Sequence, residues 1–209
     1  MKILFKKAVI VLIFTFATSG NELLSEQSEN VPSRIILDED FNISDALKQS
    51  WDENYEKVIE FIKQHEGFAN GKPYRCISGQ LTIGYGHVIR EGEYFPSQIS
   101  KETADSLLRQ DFKRAIKTTE RLTTLQGSRK LAIAHFIYSK GCGAFSRSTL
   151  LKEITLNGDI DKELMKWCYY TNPKTKTKHK SIVAENISKW ECNMWHVDDQ
   201  LYSFDRISR

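Results

Sequence analysis

The sequence predicts an α+β domain that is mostly α. Three observations carry that expectation: apolar residues recur at helical spacing after Trp51, a short β-rich stretch runs from Tyr74 to Val88, and five further helical segments follow it. At 209 residues the chain can bury one core of ordinary size, and it is too short for two large domains.

Lys2, Lys6 and Lys7 precede the apolar run Ala8 to Ala17, and the small residues Thr18, Ser19 and Gly20 follow it. This is the order of a signal peptide over residues 1–19, cleaved after Ser19 or Gly20. The run falls short of the roughly twenty apolar residues that cross a bilayer as a helix, so export without a stable membrane span is expected. Residues 20–50 are acidic and poor in large apolar groups, and are expected to form a flexible spacer. A domain over 51–195 and a tail over 196–209 complete the expected organisation.

Within 51–195, Val58, Ile59, Phe61 and Ile62 mark one helical face, and Gly67 is the natural end of that helix. Glu66 then sits at the helix C-terminus, where the negative end of the dipole raises a carboxyl pKa. LTIGYGH, preceded by Ser78-Gly79, reads as a hairpin with its turn at that pair. Ser100 reads as the cap of a helix presenting Ala104, Leu107, Leu108, Phe112 and Ile116 on one face. RKLAIAHFIYSKG is apolar nearly all round and predicts a buried central helix that stops at Gly141. Helices are expected over Arg147–Leu156, Asp159–Trp167 and Ser181–Trp195, with a basic loop, TNPKTKTKHK, before the last.

The net charge of +3 hides an asymmetry. Residues 20–55 hold nine acidic and two basic residues, and residues 56–209 hold 18 acidic and 25 basic, so the main domain is cationic. A cationic exported domain is drawn to anionic polymers at low ionic strength. The four cysteines, Cys76, Cys142, Cys168 and Cys192, contain no CxxC pair, which speaks against a zinc site. In an oxidising compartment they allow three pairings, among which sequence does not choose.

As bare chemistry, a glutamate at a helix end beside a small sheet could be a general acid or an ordinary surface carboxylate. Cys76 and His87, eleven residues apart, could be a nucleophile and its base or two structural residues. The stretch HEGF, PYRC and LTIGYGH, followed by GCGAFSRSTLL over 141–151, resembles the phage-type lysozymes of glycoside hydrolase family 24. In that family a glutamate, an aspartate or cysteine, and a threonine form the active site. The resemblance therefore implies a lysozyme-like fold, with Glu66 as the acid, Cys76 in the aspartate-or-cysteine position and Thr82 as a water or substrate orienter. Five residues separate Cys76 from Thr82 as in the family, whereas nine separate Glu66 from Cys76, one more than the family has.

The resemblance further implies a muramidase that cleaves between N-acetylmuramic acid and N-acetylglucosamine in peptidoglycan. Such an enzyme would act as a monomer, with peptidoglycan as partner, no nucleic acid, and no metal or organic cofactor. It pairs His87 with Asp111, makes Gly84 and Gly86 backbone requirements of the strand and cleft wall, and brings Phe145 to the cleft. The family tends to place arginines at the start of a late helix, near the glutamate. Here SIVAENISKW has Glu185 and Asn186 instead, leaving Lys178, His179 or Lys180 as candidate basic neighbours. Two rival readings are a noncatalytic or decayed glycan-binding protein and a wall peptidase using Cys76 with His87.

Overall fold

In the computed structural model the described residues are 43–68, 70–76, 79–172 and 175–199. The expected signal peptide, most of the expected spacer and residues 200–209 lie outside them. Among the described residues the architecture is α+β and mostly α, with no helix long and apolar enough to cross a membrane.

Helix α1 runs Ile43–Glu66, eight residues earlier than the apolar periodicity suggested. Residues 43–50 are therefore helix and not spacer. Asp45 in the first turn complements the helix dipole, so this polar turn extends the helix without needing an apolar face of its own. The helix nevertheless ends at Glu66, immediately before Gly67.

A three-stranded antiparallel sheet follows, β1 (Tyr74–Arg75), β2 (Leu81–Ile83) and β3 (His87–Val88), in the order β1-β2-β3. The β1–β2 turn is closed by Cys76 N–H donating to Gln80 O at 3.0 Å and Gly79 N–H donating to Cys76 O at 2.8 Å. TIGYGH is thus not one strand: Gly84-Tyr85-Gly86 turns the chain between β2 and β3. Gly84 has φ +63°, and a Cβ there would stand 2.9 Å from the Ala104 Cβ, so both the conformation and the helix packing demand glycine.

Helix α2 (Lys101–Leu122) starts where Ser100 predicts, its hydroxyl accepting from Thr103 N–H at 3.2 Å. Helix α3 (Gly127–Lys140) is buried continuously from Leu131 to Ile137, as its unbroken apolar run requires, and stops at Gly141. A short helix α4 (Cys142–Ser146), which the sequence pattern did not announce, precedes α5 (Thr149–Leu156), capped by Ser148, and α6 (Ile160–Met165), capped by Asp159. A 3-10 turn over Lys166–Cys168 leads into a second, two-stranded sheet, and α7 (Ile182–Trp195), capped by Ser181, follows it.

The stretch expected as a basic loop, residues 171–180, is flanked by strand at both ends: β4 (Tyr169–Thr171) pairs antiparallel with β5 (Lys178–Lys180). Tyr169, Tyr170 and Thr171 are aromatic and β-branched residues that favour extended backbone, and every residue of both strands stays in solvent.

The main core gathers Val58, Ile59 and Ile62 of α1, Leu108 and Phe112 of α2, and the Leu131–Ile137 run of α3, with Phe145, Leu150, Leu164, Met194 and Trp195. Each fully buried Leu, Ile or Phe contributes about 1.5–3 kcal/mol. A smaller cluster of Ile83, Ile99 and Ala104 fastens the first sheet to α2. The segment after α7 is no mere tail at its start: Asp198 accepts from Ser128 N–H at 2.7 Å, and Asp199 pairs with Arg129 at 2.6 Å. A carboxylate at the first turn of α3 satisfies an amide that the helix itself leaves unpaired.

Candidate active site

Where α1 ends, its last residue meets the turn that joins β2 to β3. Gly86, at φ +90°, passes so close that a Cβ there would lie 3.4 Å from Glu66 Oε2 and 3.6 Å from Tyr138 Oη. The carboxyl of Glu66 and the phenol of Tyr138 on α3 therefore both lie against the Gly86 backbone. The residue as a whole is exposed on the open side of the cleft. The crowding at the carboxyl itself, and not that average exposure, sets the environment of its proton.

Burial raises the pKa of Glu66, and the positive charges of His135, His65 and Lys140 oppose it without reversing the direction. The C-terminal end of α1 acts in the same sense as burial. Tyr138 is pushed up by burial and by the neighbouring Glu66 charge, so it stays protonated and donates to Tyr85 O at 2.7 Å. That bond ties α3 to the glycine turn and holds the cleft wall beside Glu66.

The cleft has a volume of about 460 Å³ and is bordered by Glu66, Gly86, Asp111, Arg114, Tyr138 and Cys142, among others. Its arginines, Arg90 and Arg114, flank Asp111 at 3.6 and 2.5 Å. Beside it, His87 is buried and bridges two carboxylates: Nδ1 lies 2.6 Å from Asp111 Oδ2 and Nε2 lies 3.0 Å from Glu93 Oε2. Only the imidazolium donates from both nitrogens. The hydrogen bond to Asp111 is the largest influence raising the His87 pKa, and Glu93 adds to it. With both nitrogens engaged and the ring buried, His87 has no free nitrogen to serve as a base toward Cys76.

Cys76 and Thr82 belong to the sheet. Tyr74 stands opposite Thr82 in the β1–β2 register, and the Cys76–Gln80 hydrogen bond continues that pairing. Because side chains alternate faces, Tyr74, Cys76 and Thr82 share one face of the sheet. Tyr74 feels the charges of both Glu66 and Cys76, which adds to the effect of its own burial. The cleft bordered by Glu66 is lined by neither Cys76 nor Thr82. Cys76 is half-buried, and Thr82 is buried with its hydroxyl donating to Gln80 O at 3.2 Å. Among the described residues Cys142 is a free thiol, so it is not bridged to Cys76.

Two expectations need correcting. Phe145 is fully buried, with its ring packed edge-on to Phe136 at 6.0 Å, so it is core and not cleft wall. The helix α4 around it rotates an apolar side chain inward, which sequence order alone does not reveal. The basic neighbours of Glu66 are also not Lys178, His179 or Lys180, which lie on the exposed strand β5; Lys180 pairs instead with Glu185 at 2.9 Å. The cationic groups that act on the Glu66 carboxyl, all lowering its pKa against burial, are His135, His65 and Lys140.

Tyr138, Tyr74 and the pair His135–Glu191 were not anticipated. A signal was present for the last: His135 is the only charged-capable residue from Leu131 to Ile137, and Glu191 stands between Trp190 and Cys192. A polar residue at an apolar helix position implies a buried partner.

The family model Phage lysozyme matches residues 63–186, which span Glu66, the first sheet and the start of α7. An endolysin of Acyrthosiphon pisum secondary endosymbiont phage 1 is 34% identical over 119 residues, 54% of this chain and 77% of that protein. Two solved structures share the fold at 21% identity: the muramidase domain of SpmX from Asticaccaulis excentricus, with TM-score 0.58 over 66% of this chain and 94% of that one, and an endolysin from Escherichia coli O157:H7 phage FAHEc1, with TM-score 0.57 over 68% and 92%. With its helix-end glutamate, its glycine-turned sheet and more than half its length matched, this chain belongs to the phage lysozyme family.

Proposed function

We propose that this lysozyme-family glycosidase cleaves the bond between N-acetylmuramic acid and N-acetylglucosamine with Glu66 as general acid. The observation that carries the assignment is the Glu66 carboxyl at the cleft, against the Gly86 backbone, with its pKa raised by burial. An acid that must protonate a leaving glycosidic oxygen has to hold its proton near neutral pH. The shared face of Cys76 and Thr82 supports these residues as the groups across the sugar, with Thr82 orienting water or substrate and Cys76 acting as base or nucleophile. Arg90 and Arg114 at the cleft suit an anionic glycan. The enzyme acts as an exported monomer on peptidoglycan, without nucleic acid, metal or organic cofactor. The test is incubation of the purified domain with peptidoglycan and analysis for new reducing ends; their absence, with binding retained, would favour the noncatalytic glycan-binding reading.

The role of Cys76 has its own test. Cys142 borders the cleft that Glu66 lines, so thiol alkylation is to be done on a Cys142→Ser background. There, modification of Cys76 should block cleavage. Cys76→Asp, which supplies an oxygen base, should retain or raise activity, and Cys76→Ala should reduce it by about 10²-fold or more. Equal activity of the unmodified protein and both variants would remove Cys76 from the chemistry.

A further inference from the structure

The β4–β5 ribbon and the first turn of α7 take no part in the proposed reaction, and the cleft is lined by none of their residues. Over residues 169–184 the sequence holds four lysines and one histidine and no acidic residue. The next acidic residue, Glu185, is already shared by Lys180 and Lys189, each at 2.9 Å. The same stretch exposes apolar surface: Ile182 is 75% and Val183 62% exposed, and Tyr169 and Tyr170 are exposed on β4. Four of the eight large apolar side chains that the described residues leave exposed therefore fall in this one stretch. Apolar side chains gathered in solvent among uncompensated cations mark an interaction site.

The side chains also say what kind of partner fits. Cross-strand partners share a face, so Tyr169, Thr171, Lys178 and Lys180 lie on one face of the ribbon, and Tyr170 and His179 on the other. Lys178 Nζ lies 4.7 Å from the centroid of the Tyr169 ring, and the His179 ring stacks on Tyr170 at 5.7 Å and 30°. One side of each tyrosine ring is thus taken by a neighbour from the opposite strand, which leaves less open ring for stacking on a sugar. A sugar or a polyphosphate also makes no use of Ile182 and Val183. An anionic bilayer uses all of these groups: its phosphates attract the lysines, tyrosines suit the headgroup layer, and aliphatic side chains enter the boundary with the acyl chains. We propose that the β4–β5 ribbon and the first turn of α7 form an interfacial patch that seats this domain on a lipid surface bearing anionic headgroups. The contact is peripheral and not a span, since no helix among the described residues is long and apolar enough to cross a membrane.

The test reads the patch locally, so that contact made by residues 1–19 is not counted. Amide hydrogen exchange of the full chain is followed by mass spectrometry with vesicles of phosphatidylglycerol and with vesicles of phosphatidylcholine. Exchange over residues 169–184 should slow on the phosphatidylglycerol vesicles and not on the others, and the protection should fade as salt rises. Ile182→Ser/Val183→Ser should remove most of the protection. Lys176→Gln/Lys178→Gln should raise the lipid concentration needed for half protection by about 25-fold, at about fivefold per lysine. Both variants replace exposed side chains outside the cleft, so circular dichroism and release of reducing ends from peptidoglycan should match the parent. Exchange that is unchanged on phosphatidylglycerol, slowed equally on both vesicles, or slowed equally in the parent and both variants overturns the proposal. Protection by peptidoglycan or by polyphosphate in place of vesicles also overturns it, and assigns the patch to a wall polymer. The inference does not rest on Glu66: a protected ribbon on a chain that cuts no glycan would leave it standing.

Discussion

Glu66→Gln is expected to lose glycan cleavage by a factor of about 10² to 10⁴ while the protein remains folded. The amide keeps the shape of the side chain against Gly86 and Tyr138 but has no proton to give the leaving oxygen. The same substitution should leave stability unchanged or improved at neutral pH, and the sign follows from linkage. Burial raises the pKa of Glu66 in the folded protein, so the native state binds its proton more tightly than the unfolded chain does. Above the unfolded pKa of about 4.3 the charged carboxylate is therefore a burden on the fold, and it grows until the folded pKa is passed. A neutral amide removes that burden. Release of reducing sugar at the parental rate would show that another group supplies the proton. A large drop in melting temperature would show that Glu66 is a structural residue.

The second large effect concerns His87. His87→Ala is expected to destabilise the domain by about 3 kcal/mol, because it opens a cavity and removes the buried cation that bridges Asp111 and Glu93, leaving Asp111 only its arginines and Glu93 only the Arg90 amide. Asp111→Ala should cost less, since Glu93 still holds the other ring nitrogen. The double variant should lose less than the sum, by about 0.5–3 kcal/mol, as interacting pairs do. Strictly additive losses would show that the two do not interact. The pH dependence has a definite sign. The folded pKa of His87 is raised above its unfolded value of about 6.5, so its contribution is complete below about pH 6.5 and fades as pH rises through the folded pKa. The stability gap between the parent and His87→Ala should accordingly be widest in mild acid and narrow in alkaline solution. Urea midpoints at several pH values measure it, and a gap that widens with pH would contradict a bridging imidazolium.

Much of this architecture was legible in the sequence because it rests on local rules. Ser100 caps a helix by accepting a backbone amide, which a hydroxyl before an apolar repeat announces. The unbroken apolar run of α3 declared a helix buried on all sides, and Glu66 before Gly67 declared a carboxylate at a helix end. The extra turns of α1 escaped because a polar helix stretch carries no apolar period. The β4–β5 ribbon escaped because an exposed hairpin has no buried face to impose alternation.

By itself, then, the sequence determined most of the helical segments, where the small sheet would lie, and which glutamate would stand at a helix end. Spacing along one segment depends only on backbone geometry and propensity. Only the tertiary structure decided what surrounds that glutamate. Tyr138 comes to its neighbourhood from α3, 72 residues further along the chain, and Glu191 comes to His135 from α7. Likewise, Phe145 was turned into the core and the lysines of β5 out into solvent. The proton affinity of a carboxyl depends on the charges and atoms packed within a few ångströms of it. Those neighbours are chosen by how helices dock against one another, which no spacing within a single segment encodes.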